Sequence, residues 1–380
     1  MQSLKIGDLT IKVPIIQGGM GVAVSLSGLA SAVANEGGVG VISAAAIGML
    51  EPDYMKHFHL ANKRALQKEI RKARHMTDGV LGVNIMMALT DHEELIKVAI
   101  EEKTDILFIG AGLPLNIPKI ISEAGLNGHH TKLVPKVSSA KAAGLIFRYW
   151  ANKYNNVPDA VVVEGPMAGG HLGFKKENLG ENRVPLHLIV EETVAAIQPF
   201  EFTFGKSIPV IAGGGITTGK DMYDIMQAGA SAVKVGTRFV TTHECDASLA
   251  YKESYIAARK EDIVIIESPV GLPGRVVMNQ FVQQIMDGEA KPFKCPWKCL
   301  SSCDFRKAPF CIAKALFNSA RGNMDEGFAF AGANAHKATE INHVSDVFND
   351  LLSGYNYEKL FRQMATMRPM HLHGTCRIAV

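Results

Sequence analysis

Two glycine-rich segments of the chain have residue types that suit a phosphate group. Gly213-Gly214-Gly215 follows one apolar run, and Gly236-Thr237 follows the next run along the chain. Glycine lets an anion approach backbone N–H groups closely, and a helix that begins at such a turn adds the positive end of its dipole. The two segments therefore predict a ligand that carries a phosphate.

The same region fails to complete two common nucleotide-binding motifs. Gly214 to Lys220 has the spacing of a P-loop, but Asp221 stands where the loop needs a Ser or Thr for Mg²⁺. The dinucleotide pattern G-x-G-x-x-G fails because Thr218 stands at its third glycine. These departures argue against an NTPase, and they indicate that any nicotinamide would be a visiting substrate.

One histidine lies where acid–base chemistry is expected. Gly169-Gly170-His171 comes shortly after Glu164, the last residue of another apolar run. Histidine has an unperturbed pKa of about 6.5, so it exchanges protons readily near neutral pH. We predict that His171 is the catalytic base or proton donor.

A cysteine cluster forms a second candidate site. Cys295, Cys299, Cys303 and Cys311 are separated by three, three and seven residues. Four thiolates can ligate either Zn²⁺ or a [4Fe–4S] cluster. The first pair fits zinc, whereas the wide last gap favours iron–sulfur. The alternative is a set of buried free thiols, which pack like small apolar side chains.

The elements that position these residues follow an alternating βαβ pattern. A helical pattern over Ser25 to Asn35 separates the first two strand-like runs, and the runs are almost continuously apolar, as in parallel strands covered on both faces. They predict a (β/α)₈ TIM barrel of the α/β class. The eight predicted strands are Ile11 to Ile16, Gly38 to Ala44, Val80 to Met86, Ile106 to Gly110, Lys132 to Val137, Ala160 to Glu164, Ile208 to Ala212 and Ala232 to Val235.

Active sites of such barrels collect at the C-terminal ends of the strands. Gly18-Gly19-Met20 follows the first predicted strand, where bare backbone could lie against a flat ring. Asn84, Lys136 and Glu164 lie at the ends of the third, fifth and sixth strands. The sequence therefore predicts that all of them face one site.

Two parts of the chain exceed the minimal barrel. We assign residues 1–258 to the barrel, with a charged, solvated helix inserted at about 50–78. Residues 259–380 form a helical and Cys-rich C-terminal extension. Because no low-complexity linker precedes it, we expect this extension to pack on the barrel.

Composition excludes several classes of partner. With 40 basic and 37 acidic residues the chain lacks the cationic field of a nucleic-acid-binding protein. No apolar stretch is long enough for a membrane span, and the first ten residues lack the apolar core of a secretory signal. We expect a cytoplasmic enzyme for a small-molecule substrate, with a homodimer as the default assembly.

The combined motifs resemble those of a known family, the nitronate monooxygenases (formerly 2-nitropropane dioxygenases), together with the related enoyl-acyl-carrier-protein reductase II enzymes. The resemblance spans about residues 4–245 and returns at 322–332. It depends on Gln17-Gly18-Gly19-Met20, Gly110-Ala111-Gly112-x-Pro114, Lys136-Val137, Ala168-Gly169-Gly170-His171 and the two glycine loops.

The resemblance implies non-covalent FMN in the mouth of the barrel. By position, Met20, Asn84 and Lys136 would contact the flavin ring or ribityl chain, and Glu164 stands where we expect the family's aspartate. The remaining implied contacts are backbone ones: Gly18, Gly19, Gly169 and Gly170 near the flavin, and Gly213, Gly214, Gly215, Gly236 and Thr237 at the phosphate.

Three functions are consistent with these residues. The first is oxidation of alkyl nitronates or nitroalkanes with O₂, in which His171 takes the α-proton of the nitroalkane. The second is reduction of an enoyl thioester or another activated alkene, with NAD(P)H as co-substrate and with the cysteine cluster as an iron–sulfur centre. The third is a non-catalytic flavin or redox sensor.

Overall fold

The computed structural model describes residues 2–366, so the last 14 residues of the predicted extension, 367–380, lie outside it. The strands are β1 (Leu4–Ile6), β2 (Leu9–Ile11), β3 (Ile15–Gln17), β4 (Val39–Ser43), β5 (Val80–Met86), β6 (Ile106–Gly110), β7 (Lys132–Val137), β8 (Val161–Glu164), β9 (Gly170–His171), β10 (Val210–Gly213), β11 (Ala232–Val235), β12 (Ile263–Glu267) and β13 (Pro273–Val277). The helices are α1 (Ser27–Asn35), α2 (Phe58–Met76), α3 (His92–Glu101), α4 (Ile117–Glu123), α5 (Ala140–Tyr154), α6 (Leu186–Phe204), α7 (Gly219–Gln227), α8 (Thr237–Val240), α9 (Leu249–Ala257), α10 (Gln280–Met286), α11 (Ile312–Ala320) and α12 (Val344–Thr366).

Eight parallel strands close into a barrel in the order β10-β11-β3-β4-β5-β6-β7-β8. Val210 pairs with Val161 between the seventh and sixth barrel strands, and Val233 pairs with Ile15 between the eighth and the first. The strands are buried on both faces because helices cover the outside and side chains fill the inside. The predicted (β/α)₈ barrel is confirmed.

The first barrel strand differs from its prediction. Ile11 ends the hairpin strand β2, and β3 begins only at Ile15. Pro14 separates them because it has no N–H to donate, while its carbonyl accepts a hydrogen bond from Val233. The β1–β2 hairpin places Leu4 against the apolar barrel interior and so closes the end opposite the predicted site.

The helix predicted as an insertion at about 50–78 is the second helix of the barrel. α2 connects β4 to β5 and packs on α1 and α3. One face buries Phe58, Leu66, Ile70 and Ala73, which recur at helical spacing. The prediction of an inserted helix was wrong, because the many Lys, Arg and His residues of the outer face obscure this apolar stripe in the sequence.

The C-terminal segment completes the barrel on two sides. β12 and β13 form an antiparallel sheet with β9, in which Gly274 pairs with His171. α12 packs on α7, α1 and α8, the place of an eighth barrel helix, and it buries Phe348, Leu351 and Tyr355. Over residues 2–366, no helix is long and apolar enough to cross a membrane.

Candidate active site

A pocket of about 520 Å³ opens at the C-terminal ends of the barrel strands. Its volume lies within the range of cofactor and ligand sites in proteins. The structure brings together in its lining every residue that the sequence predicted for FMN or catalysis: Gly18, Gly19, Met20, Asn84, Lys136, Glu164, Gly169, Gly170, His171, Gly213, Gly214, Gly215, Gly236 and Thr237.

Several glycines of this lining leave no room for a side chain. A Cβ on Gly19 would stand 2.4 Å from the Cβ of Asn84, and one on Gly169 would stand 2.7 Å from the backbone of Ala331. Gly214 and Gly215 also have φ angles of +105° and +87°, which other residues rarely adopt. The glycines thus form a cradle of bare backbone around the cavity.

Asn84 carries a polar atom that needs a partner from the pocket. The residue is 4% exposed, and its Oδ1 has no hydrogen-bond partner among the described residues. A buried acceptor without a donor costs free energy, roughly 1–3 kcal/mol. A flavin offers a ring N–H and ribityl hydroxyls, so this orphan oxygen and the glycine cradle fit FMN.

Two lysines flank one carboxylate at the wall of the pocket. Glu164 Oε1 lies 3.2 Å from Lys136 Nζ and 3.3 Å from Lys234 Nζ. Burial alone would raise the pKa of Glu164, but the charges and hydrogen bonds of the two lysines outweigh it and lower this pKa to about 2. The cluster therefore carries a net charge of +1 when both lysines are protonated.

Sequence reasoning missed Lys234. It lies in β11 with 6% exposure, and its Nζ stands 5.5 Å from the ring centroid of Phe108. Burial and the charge of Lys136 lower the pKa of Lys234 to about 8, which the charge of Glu164 only partly offsets. A lysine inside a four-residue buried strand was the available signal, because lysine is almost never buried without a partner.

His171 is held at the pocket by residues of the C-terminal segment. Its Nε2 lies 2.7 Å from Ser268 Oγ, and its ring packs edge-on against Phe330 at 4.8 Å between centroids. Burial lowers the pKa of His171 to about 4. The imidazole is therefore neutral at pH 7, the form in which it accepts a proton.

The segment around Phe330 also reaches the two glycine loops. Gly332 N–H donates to Thr237 Oγ1 at 3.2 Å, and Asn334 Nδ2 donates to the carbonyl of Gly215 at 2.8 Å. These contacts join positions that are about a hundred residues apart. Sequence reasoning missed Ser268, Phe330 and Asn334 because no local pattern indicates which loop a distant segment will meet.

The cysteine segment lies over another side of the pocket. Leu300 forms a β-bridge with Leu89, and the N–H of Thr90 donates to the carbonyl of Cys299 at 3.1 Å. Trp297 stacks on Phe58, with 4.8 Å between the ring centroids. Cys299 lines the pocket, whereas the other three cysteines do not. One member of the cluster therefore faces the cavity.

All four cysteines are free thiols. Burial, with the charges of the other three, raises the pKa of Cys299 to about 12. Within residues 2–366, no group of three or more His, Cys, Asp or Glu side chains is arranged to hold a metal ion. The thiols therefore do not converge as the ligands of a single zinc ion would.

Family comparison agrees with this geometry. The sequence pattern of the nitronate monooxygenase family matches residues 2–354. The chain belongs to the nitronate monooxygenase family. This membership confirms the resemblance seen in the motifs and the prediction of an FMN-dependent oxidoreductase. It leaves the non-catalytic sensor without support.

This nitronate monooxygenase family member resembles proteins with different names. It is 26% identical over 365 residues to a probable nitronate monooxygenase of Staphylococcus aureus, covering 89% of this chain and 96% of that one. It is 27% identical over 278 residues to a (3aS,4S,5R,7aS)-5-hydroxy-7a-methyl-1-oxo-octahydro-1H-indene-4-carboxyl-CoA dehydrogenase of Mycobacterium tuberculosis, covering 73% of this chain but only 66% of the relative. The structure of FabK from Thermotoga maritima has a TM-score of 0.71 at 29% identity, covering 94% of this chain and 96% of FabK.

Proposed function

We propose that this protein oxidises alkyl nitronates and nitroalkanes with O₂. The observation that carries the proposal is the position of neutral His171 in the same pocket as the glycine cradle and the cationic Lys136 cluster. The likeness to the probable nitronate monooxygenase of Staphylococcus aureus, which the chain matches over 96% of that protein, supports it.

In this proposal the pocket holds FMN along the glycine cradle. Backbone N–H groups of Gly213, Gly214, Gly215, Gly236 and Thr237 would bind the phosphate. Met20, Asn84 and Lys136 would contact the ring or ribityl chain, with Gly18, Gly19, Glu164, Gly169 and Gly170 close by. Bound FMN supplies the redox chemistry by accepting an electron pair from the substrate and passing it to O₂.

The charged residues favour an anionic substrate. Two lysines face a single carboxylate in the Lys136–Glu164–Lys234 cluster, which leaves one positive charge in excess. Because the surrounding barrel interior is apolar, this charge is weakly screened by solvent. A nitronate, which carries one negative charge, would be attracted to that side of the pocket.

His171 would act only on the neutral form of the substrate. The imidazole takes the proton from the carbon next to the nitro group, and the electron pair of that C–H bond moves onto the nitro oxygens to give the nitronate. A nitronate formed beforehand needs no such step. Ser268 positions the imidazole through the 2.7 Å hydrogen bond.

The His171→Ala variant tests this assignment. Oxygen consumption by the FMN-loaded enzyme is measured with a nitroalkane and with the corresponding nitronate. We expect the nitroalkane kcat/KM to fall about 10²–10⁴-fold, the usual contribution of a general base. The nitronate kcat/KM should stay within a few-fold of the wild-type value. Equal losses on both substrates would contradict the role of His171.

A second candidate function is NAD(P)H-dependent reduction of an enoyl thioester. The specific observation in its favour is the similarity to a dehydrogenase whose name includes a carboxyl-CoA substrate and to FabK. In this case NAD(P)H would be the electron donor and His171 would handle a substrate proton. Consumption of NADH or NADPH with a short enoyl-CoA, absent without it, would support this second function.

For the cysteine cluster we propose an iron–sulfur centre, with [4Fe–4S] as the form. Four cysteines within 17 residues of sequence are the observation in its favour, because a [4Fe–4S] cluster takes one thiolate on each of its four irons. Anaerobically purified protein should contain iron and acid-labile sulfide that are lost in Cys303→Ser but kept in Cys245→Ser. Zinc, or no metal, in the wild-type protein would contradict it.

We also propose a homodimer in the cytoplasm. The five described cysteines, at positions 245–311, form no disulfide with one another, as expected in a reducing compartment. Closed twofold dimers are the commonest soluble oligomers. Light scattering of the purified protein should give twice the mass of one chain, and the mass of a single chain would contradict the dimer.

A further inference from the structure

A second pocket, of about 370 Å³, lies beside the first and is lined by basic side chains. Its charged members come from four separate segments and are Arg183, Lys260, Arg275 and Lys337; His336 lines the same pocket. None of the lining residues is Asp or Glu. Four cations therefore face one cavity without a carboxylate in its wall.

These four cations have no acidic partners elsewhere in the described part of the chain. Among residues 2–366, none of Arg183, Lys260, Arg275 and Lys337 forms an ion pair within 4.0 Å. By contrast, Arg64 and Lys68 both pair with Glu51. Unpaired cations that face one cavity repel one another, so an anionic ligand would stabilise the arrangement.

Arg275 is the fixed member of this group. It is 5% exposed, and its guanidinium donates to the carbonyls of Ala168 and Pro166, the latter at 2.9 Å. Burial and the charge of Arg183 lower the pKa of Arg275 to about 10, so it stays cationic at neutral pH. Because neutral carbonyls and no carboxylate accept its hydrogen bonds, the positive charge of this buried guanidinium is not neutralised at the cavity.

Only two residues separate this pocket from the proposed FMN site. Met167 and Asn334 line both cavities. The Asn334 side chain donates to the carbonyl of Gly215, and Ala333 N–H donates to the carbonyl of Met167 at 3.1 Å. A molecule seated in the basic pocket would therefore lie next to the proposed phosphate end of FMN, with the flavin pocket across a thin wall.

We propose that the basic pocket binds the nucleotide diphosphate end of a second substrate. The shared chemistry is an adenosine phosphate with a diphosphate, which occurs in NAD(P)H and in acyl-CoA. Four cations match the two to four negative charges of such a group better than the single charge of a nitronate. Arginine and lysine are the usual donors to phosphate oxygens. The inference depends on the proposed FMN site only for the location of the reacting end.

The test uses FMN-loaded protein and isothermal titration calorimetry. NADP⁺, NAD⁺ and coenzyme A are titrated separately into wild-type protein and into a Lys260→Gln/Lys337→Gln variant. We expect at least one nucleotide to bind the wild type and its Kd to rise about tenfold in the variant, since two charge-assisted contacts are lost. A preference for coenzyme A assigns the pocket to a thioester, and a preference for NADP⁺ or NAD⁺ assigns it to a nicotinamide.

The matched control is Lys72→Gln/Lys359→Gln, which removes the same charge from exposed helix positions. This variant should bind the nucleotide like the wild type, and both variants should keep their FMN and their nitronate oxidation. The inference is overturned if none of the three nucleotides binds, or if both double variants lose affinity equally. If the wild-type protein does not oxidise nitronates, that result would count against the proposed function alone.

Discussion

Glu164 compensates two lysine charges, so its removal should destabilise the fold. In Glu164→Gln, Lys136 and Lys234 would face each other without a carboxylate. The Glu164 side chain is 31% exposed, whereas those of Lys136 and Lys234 are 16% and 5% exposed, so leaving the two lysines unpaired should cost about 1–3 kcal/mol of unfolding free energy. Urea unfolding at pH 7 measures the loss, with the exposed Glu267→Gln as control. The control should change the free energy of unfolding by about 0.5 kcal/mol or less, and equal effects of both substitutions would reject the cluster's structural role.

The same cluster gives the stability a defined pH dependence. Because the pKa of Glu164 is lowered from 4.5 to about 2, its contribution is present above pH 4.5 and is lost as pH falls toward 2. Lys234 acts at the other end: its pKa falls from 10.5 to about 8, so the unfolded chain binds the extra proton and stability rises with pH between these values. The unfolding free energy of the wild type relative to that of Lys234→Met should therefore increase from pH 7 to 10, and a difference that does not change with pH would contradict the shift.

The pH profile of kcat/KM with nitroalkanes tests the roles of His171 and Ser268. Since burial lowers the pKa of His171 to about 4, the imidazole is deprotonated throughout the neutral range, and kcat/KM should fall only below pH 6.5. Ser268→Ala should lower this kcat/KM about fivefold to tenfold, the effect of one lost hydrogen bond. Pre-formed nitronate is the control. An acid limb at or above pH 6.5, or an unchanged nitroalkane kcat/KM in Ser268→Ala, would contradict the assignment.

At the residue scale, the predictable part of the site was the part with local sequence signals. Glycine runs and polar residues after apolar strands located the cradle, Asn84 and His171. Lys234 was missed because the apolar residues on either side of it identify a buried strand, and this pattern alone assigns no role to the lysine. Ser268 and Asn334 were missed because their importance depends on long-range packing, which residue types alone do not encode.

Helix α12 provides an element-scale test, because it covers the barrel where an eighth helix belongs. Leu351 is fully buried against α7, whereas Leu145 on α5 is 44% exposed. Leu351→Ala should lower the free energy of unfolding by about 2–5 kcal/mol, and Leu145→Ala should change it by about 0.5 kcal/mol or less. Denaturant unfolding of both variants gives the comparison. Similar small effects would show that α12 is dispensable for the barrel.

The elements were predicted best where burial alone decides the structure. β5, β6, β7 and β11 occupy the predicted residues, because a continuous apolar run between polar turns suits a strand covered on both faces. α2 was taken for an insertion because its charged outer face dominated the pattern. The place of α12 could not be predicted, since about a hundred residues separate it from β11.

At the scale of the whole molecule, we propose that the barrel of residues 1–258 does not fold independently of the C-terminal segment. Residues 1–258 contain all eight barrel strands. They lack α12, Ser268 and the segment that contains Asn334, whose side chain donates to the carbonyl of Gly215. We therefore predict that a 1–258 fragment fails to fold cooperatively, as judged by thermal unfolding followed by circular dichroism. A cooperative transition near that of the full chain would instead establish the fragment as an independent domain.

The central claim is that FMN in this pocket takes electrons from a nitronate. The most direct measurement is anaerobic mixing of the FMN-loaded enzyme with a small alkyl nitronate, and separately with NADH and NADPH, while flavin absorbance is recorded. We predict that the nitronate bleaches the flavin and that admitted O₂ restores it. A flavin that stays oxidised with the nitronate but is reduced by NADH or NADPH would contradict the claim and favour the reductase.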